Sequence, residues 1–255
     1  MTERPASDTI LLPIDLHGVS RSTLDTLVRL ARHLDCGLLG LFVEDPRLQQ
    51  VADLPFTTEI VLSSGGEREL RPERLRSRLG RVSRDTRTWL DELAGHNKVQ
   101  LTYETASGAR LNAVLQRAGG EDIFIPGRVR RPSAPGRGAP RAVIPRLGVL
   151  LGEPEGDDRA LSIVGVLVAA GLVGVHHVLV TGAVDAGRLQ AIERLGRRPH
   201  LLRLQDRSPQ GIIELIRRAP YDLQILPLSS LRDIPPAQLE AALDTSRSQV
   251  PVSYT

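Results

Sequence analysis

Residues 107–126 of this 255-residue chain recur in its second half as residues 208–226. The first copy reads Ser107-Gly-Ala-Arg-Leu-Asn-Ala-Val-Leu-Gln-Arg-Ala118, then Asp122-Ile-Phe-Ile-Pro126. The second reads Ser208-Pro-Gln-Gly-Ile-Ile-Glu-Leu-Ile-Arg-Arg-Ala219, then Asp222-Leu-Gln-Ile-Leu226. In each, a serine at the N-cap position precedes an apolar stripe of helical spacing: Leu111, Val114, Leu115 and Ala118, or Ile212, Leu215, Ile216 and Ala219. A short break and an apolar strand opening on aspartate follow, which together are half of a βαβ unit. Two such copies call for two similar α/β domains in tandem, and what differs between them bears on function more than what they share.

The composition suits that architecture. With 41% hydrophobic but only 3% aromatic residues, the cores must be built of Val, Leu, Ile and Ala, as buried parallel strands between helices are. A single cysteine, Cys36, excludes an internal disulfide and a cysteine-cluster metal site and favours a reducing compartment. Residues 1–8 are polar and hold a proline, unlike a signal peptide, so a cytoplasmic location is expected. Residues 160–182 are nearly all apolar but are interrupted by Gly165, Gly171 and Gly174 and contain His176-His177. A membrane span needs about 20 unbroken apolar residues, so this run reads as a buried helix entering a buried strand, and no membrane contact is expected.

Net charge is +3, and the basic residues are arginines apart from Lys98. They concentrate in two places. Between residues 68 and 87 they are diluted by Glu67, Glu69, Glu73 and Asp85, and pairs such as Glu67/Arg71 and Glu73/Arg76 suggest a solvated helix face. The loop 128–146, with Arg130, Arg131, Arg137 and Arg141, has no acidic residue. It could meet nucleic-acid phosphate or an acidic partner. No aromatic residue is interleaved to stack on bases, which disfavours nucleic acid. Its Pro/Gly/Arg composition reads more simply as an exposed interdomain linker open to trypsin.

Along the first half run a strand at 9–15, the turn His17-Gly-Val-Ser-Arg-Ser22, and a capping-box spacing Ser22-Thr-Leu-Asp25 ahead of a stripe at Leu24, Leu27, Val28, Ala31 and Leu34. A strand at 37–43, an insert with Leu54-Pro-Phe56 and Ser63-Ser-Gly-Gly66, a long helix at 71–94 and a strand at 99–104 precede the repeat. The second half is shorter: strand 147–151, helix 158–172, strand 177–181, helix 183–195, strand 201–204, the repeat, helix 236–243 and strand 250–252. The expected boundaries are 1–127 for the first domain, 128–145 for the linker and 146–255 for a shortened, degenerate second domain.

Ile-Leu-Leu-Pro-Ile-Asp15, the serine-bearing turn, a helix ending Leu-Ala-Arg-His-Leu, and Gly-Leu-Leu-Gly-Leu-Phe-Val-Glu-Asp-Pro46 together resemble the opening of a universal stress protein domain. The resemblance implies two Rossmann-like halves, each a mostly parallel five-stranded sheet, packed as an internal pseudo-dimer or paired in a homodimer. It also implies that Asp15 lies near an adenine or ribose and that the backbone around Val43 lines the base. The plainer reading of Asp15 is a turn cap, through its own carboxylate and Ser20. Nucleotide-binding members carry two spaced glycines after the fourth strand and then a glycine followed by Ser or Thr, whose amides hold phosphate. Here Gly127 is followed by Arg128, Arg130 stands at the second glycine, and Gly136 and Gly138 fall at the wrong spacing. The second half has Leu226-Pro-Leu-Ser-Ser230 there, without glycine, and Gly152 at the position of Asp15.

Other signatures fail. Ser64-Gly-Gly-Glu67 is similar to the phosphate loop of ATP pyrophosphatases but follows the second strand and lacks the next Asp-Ser, so it reads as a flexible loop. The histidines lack ligand spacing, and His176 and His177 point to opposite faces of a strand, so no metal is expected. Cys36 reads as a small core residue. The expected function is therefore a non-enzymatic stress-response or regulatory protein with no cofactor and an unknown protein partner. The alternative is an ATP- or AMP-binding, slowly hydrolysing protein using Asp15, Val43, Gly127, Arg128 and Arg130. A further alternative is a basic-loop adaptor for nucleic acid or an acidic partner. Val250-Pro-Val252 is expected to be an interface strand, with Ala142-Val-Ile144, between Pro140 and Pro145, as its first-half counterpart.

Overall fold

A computed structural model describes residues 9–60, 65–117, 122–126, 144–152, 154–180, 186–194, 199–206, 208–231, 233–246 and 250–253. The first half contains β1 (Thr9–Ile14), α1 (Arg21–Leu34), β2 (Gly37–Glu44), α2 (Pro46–Ala52), β3 (Thr58–Ile60), β4 (Glu67–Glu69), α3 (Pro72–Asn97), β5 (Leu101–Ser107), α4 (Arg110–Arg117) and β6 (Asp122–Ile125). The second contains β7 (Ile144–Leu151), α5 (Pro154–Ala169), β8 (Val173–Val180), α6 (Ala186–Glu193), β9 (His200–Arg203), α7 (Pro209–Arg218) and β10 (Leu223–Pro227). A 3-10 turn (Leu228–Leu231), α8 (Pro236–Thr245) and β11 (Val250–Ser253) complete it.

Among the described residues nine strands form one sheet in the order β5-β2-β1-β6-β11-β10-β7-β8-β9, and β3 and β4 form a separate hairpin. The order β5-β2-β1-β6 is repeated in mirror sequence as β9-β8-β7-β10, and the strands within each half are parallel. Between them β11 runs parallel to β10 and antiparallel to β6. The halves therefore point in opposite directions and share one central strand. Among the described residues each half contributes four strands of its own to this sheet. At the junction Ile144 opens β7, its N–H donating to the Leu172 carbonyl at 2.9 Å while it pairs with Val173. Ile144 and Pro145 thus belong to the second half, and residues 127–143, most of the expected linker, lie outside the described residues.

Side-chain alternation along the strands builds two cores. On one face Ile10, Leu12 and Ile14 pack with Leu24, Leu27 and Val28 of α1, Leu79 and Leu90 of α3, and Val164 and Leu167 of α5. On the other, Leu11 and Ile123 pack with Val114 of α4, Ile212 and Ile216 of α7, and Leu239 and Leu243 of α8. Helices cover both faces, so the sheet is doubly wound.

Ser20, and not Ser22, caps α1, accepting the Thr23 N–H at 3.2 Å, and Asp25 pairs with Arg29 at 3.0 Å. Ser208 caps α7 by accepting the Gly211 N–H at 3.2 Å. Its counterpart Ser107 is still the last residue of β5, because the next N–H, on Gly108, donates to the Glu44 carbonyl at 3.0 Å and keeps the chain alongside β2. Of the apolar run, residues 160–180 are the end of α5, a turn at Gly171 (φ 69°) and β8. Among the described residues no helix is long and apolar enough to cross a membrane.

Candidate functional site

The chain leaves β1 through α1 toward β2 on one side and returns through α4 to β6 on the other. The strand order thus reverses at the carboxyl end of β1, where open α/β sheets have their crevice. Asp15 stands there. Its Oδ1 accepts the His17 N–H at 2.9 Å and its carbonyl accepts the Gly18 N–H at 2.8 Å, which holds the turn into α1.

Into this crevice projects Arg110, the first residue of α4 and nearly fully buried, at 7% exposure. One guanidinium nitrogen lies 3.8 Å from the Asp15 carboxylate, and another donates to Asp244 Oδ1 at 2.6 Å. Asp244 comes from the last turn of α8, in the other half of the molecule. A guanidinium out of water must be paired, and a rigid planar fork can address two carboxylates at once. Sequence reading did not single Arg110 out, although the signal was in the repeat. Three residues after Ser107 stands Arg110, and three after Ser208 stands Gly211. The second half has thus replaced both charged partners with glycine, Asp15 by Gly152 and Arg110 by Gly211.

The carboxyl end of β7 shows what fills the second-half position. The Gly152 N–H donates to both carboxylate oxygens of Asp157, at 3.0 and 3.1 Å. Asp157 is fully buried near the N-terminus of α5, where the helix dipole favours a negative charge. This carboxylate closes the strand-to-helix junction inwardly.

Of the other residues singled out by sequence, Val43 is buried at the end of β2, its side chain in the core shared with α4. Gly127, Arg128 and Arg130 lie outside the described residues, as does the rest of the basic loop before Ile144. The repeated aspartates have acquired separate tasks. Asp122 is buried and accepts from Arg159 Nε of α5 at 3.1 Å, across the boundary between the halves. Burial pushes its carboxyl up from the usual range, and the Arg159 hydrogen bonds oppose that rise. Asp222 accepts the Arg146 backbone N–H at 3.0 Å within the second half.

His176 is buried and His177 half-buried, as alternation requires. His177 Nδ1 lies 3.4 Å from the Tyr221 hydroxyl, and its ring is 5.2 Å from that of His200. Burial, together with the charges of His200 and Arg146, holds its pKa below the usual histidine value. Cys36 is buried in the core. Among the described residues no group of three or more His, Cys, Asp or Glu side chains could hold a metal ion.

No protein-family model matches the chain, and no curated protein does. It is similar to the solved structure of a universal stress protein from Archaeoglobus fulgidus DSM 4304, with 11% identity and a TM-score of 0.47 over 96% of each chain. It is also similar to a Pseudomonas aeruginosa UCBPP-PA14 protein classed as a universal stress protein, with 11% identity and a TM-score of 0.43 over 98% of this chain and 94% of the other.

Proposed function

We propose that this chain is a non-enzymatic, cytoplasmic regulatory protein of universal stress type, acting through protein contacts, with its first-half crevice converted from a ligand site into a junction between the halves. The observation that carries this reading is the buried Arg110 guanidinium spanning Asp15 and Asp244. A nucleotide polyphosphate needs inward-facing amides or an uncommitted cation. At this crevice the buried cation is already met by two carboxylates, and the second half has neither Arg110 nor Asp15 in its corresponding positions. The residue resemblance to the family's opening segment supplies the class, and the departures from its glycine pattern agree with a lost nucleotide site.

Titration calorimetry with magnesium ATP and with AMP tests this. The expected affinity is no tighter than roughly 1 mM, or about 4 kcal/mol. Micromolar binding that Asp15→Ala abolishes would replace this reading with that of a nucleotide-binding protein.

A further inference from the structure

The described residues of the insert between β2 and α3, 45–60 and 65–71, together with the exposed face of α3, present two chemistries that have no counterpart among the described residues of the second half. Five of the nine exposed large apolar side chains among the described residues fall within residues 48–60: Leu48, Val51, Leu54, Phe56 and Ile60. Phe56 is 96% exposed at a φ of 66°, a left-handed conformation that an aromatic residue seldom adopts. It is kept there by the next residue, Thr57, whose hydroxyl lies within hydrogen-bond distance of the Val51 and Leu54 carbonyls, at 3.0 and 3.1 Å. The loop is thus pinned in a shape that leaves its largest apolar side chain in water, which costs free energy that a binding partner would recover.

Beside it runs α3. Its buried stripe is Leu75, Leu79, Thr86, Leu90 and Ala94, so helical periodicity places Arg74, Arg81 and Arg84 on the opposite side, over about 15 Å of helix. These three and Arg76 are exposed and have no ion pair among the described residues. The pairs expected from sequence, Glu67/Arg71 and Glu73/Arg76, are not formed: Arg71 pairs with Glu69 at 2.9 Å. Arg68 and Arg78 reach Glu59 of the hairpin at 2.6 and 4.0 Å, and the Leu70 N–H donates to the Thr57 carbonyl at 2.8 Å. These contacts tie the apolar insert to the flank of the arginine face.

We infer that this surface docks an amphipathic helical segment of a partner protein, apolar residues against Leu54 and Phe56 and acidic residues against Arg74, Arg81 and Arg84. Helix recognition by an apolar strip with a charged margin uses such an arrangement. Exposed Asp53 precedes Leu54 in the chain, and exposed Glu67 stands opposite Ile60 across the hairpin, so a phosphate-covered membrane or nucleic acid laid on the insert would meet them as like charges. A peptide whose acids are confined to the α3 side avoids them. The inference does not depend on the state of the Arg110 crevice, because none of the side chains it uses is one that meets Arg110.

The test is fluorescence anisotropy with a labelled synthetic helix of about five turns, bearing Leu and Phe along one edge and Glu along the other. Wild type, Phe56→Asn and the triple variant Arg74→Ser/Arg81→Ser/Arg84→Ser are compared, with circular dichroism melts confirming that each is folded. All the substituted side chains are exposed, and Asn suits the positive φ. Binding at roughly 10 µM is expected at low salt, weakened about tenfold by either variant. A Glu→Gln version of the peptide should bind wild type as weakly as the acidic peptide binds the triple variant. No binding at about 1 mM peptide, equal binding by the three proteins, or indifference to the Glu→Gln change overturns the inference. So does capture of phosphatidylserine vesicles or duplex DNA that the same variants release, since that outcome assigns the surface to a membrane or a nucleic acid.

Discussion

Arg110 is where one residue decides the character of a site. Its near-complete burial means that either carboxylate partner removes an energetic penalty as well as adding an attraction. Asp244→Ala leaves the guanidinium with Asp15 at 3.8 Å. It should cost about 2 kcal/mol in urea unfolding, less than for a fully buried pair because Asp244 is 35% exposed. A double-mutant cycle with Arg110→Met should return a coupling energy of similar size, whereas additivity would mean that the contact contributes nothing. His177 makes a second residue-scale prediction. Its folded pKa lies below the ordinary 6.5, so the neutral form is the one the fold favours. That contribution is fully present above the unfolded value and is lost as pH falls below it toward the folded pKa. Wild type should therefore lose melting temperature relative to His177→Gln between about pH 7.5 and about pH 5.5. Parallel curves would show that His177 titrates alike in the two states.

Among the elements, a strand glycine beneath a tyrosine ring recurs in both halves. A Cβ on Gly40 of β2 would lie 2.7 Å from the Tyr103 ring, and one on Gly148 of β7 would lie 2.5 Å from the Tyr221 ring. The two rings fill the space that the missing side chains leave, so each pair packs as one unit. Gly148→Ala forces a contact no relaxed structure tolerates and should destabilise by about 1–3 kcal/mol in chemical denaturation. In a Tyr221→Ala background the same substitution should cost far less, since the ring that it strikes is gone. Equal costs in the two backgrounds would place the strain elsewhere.

At the scale of the whole molecule, cohesion rests on β11 and on an arginine–aspartate pair on each face of the sheet. Arg110–Asp244 joins α4 to α8, and Arg159–Asp122 joins α5 to β6. Without β11 both β6 and β10 become open edges of apolar strands, a template for wrong pairing. Removal of residues 249–255 should lower the melting temperature and split one calorimetric transition into two, because each half keeps its own four strands. An unchanged single transition would show that the helical contacts suffice.

The repeat, the strand-and-stripe periodicities and the low aromatic content by themselves determined a tandem α/β chain with buried parallel strands, and Asp15 was legible as the carboxylate at the end of the first of them. These are properties of neighbours along the chain, governed by side-chain alternation and helical spacing. Three things only the tertiary structure decided. One strand near the C-terminus serves both halves, because its partners Ile123 and Leu226 are brought together only by the assembled sheet. Ser107 stayed in a strand, because the Gly108 N–H bond to the Glu44 carbonyl of β2 outweighed the local preference of a serine to cap the helix that follows. The third is Arg110, which meets an aspartate 134 residues away. No local pattern encodes that pairing, since its energy comes from burying the guanidinium between two halves that must first fold and dock.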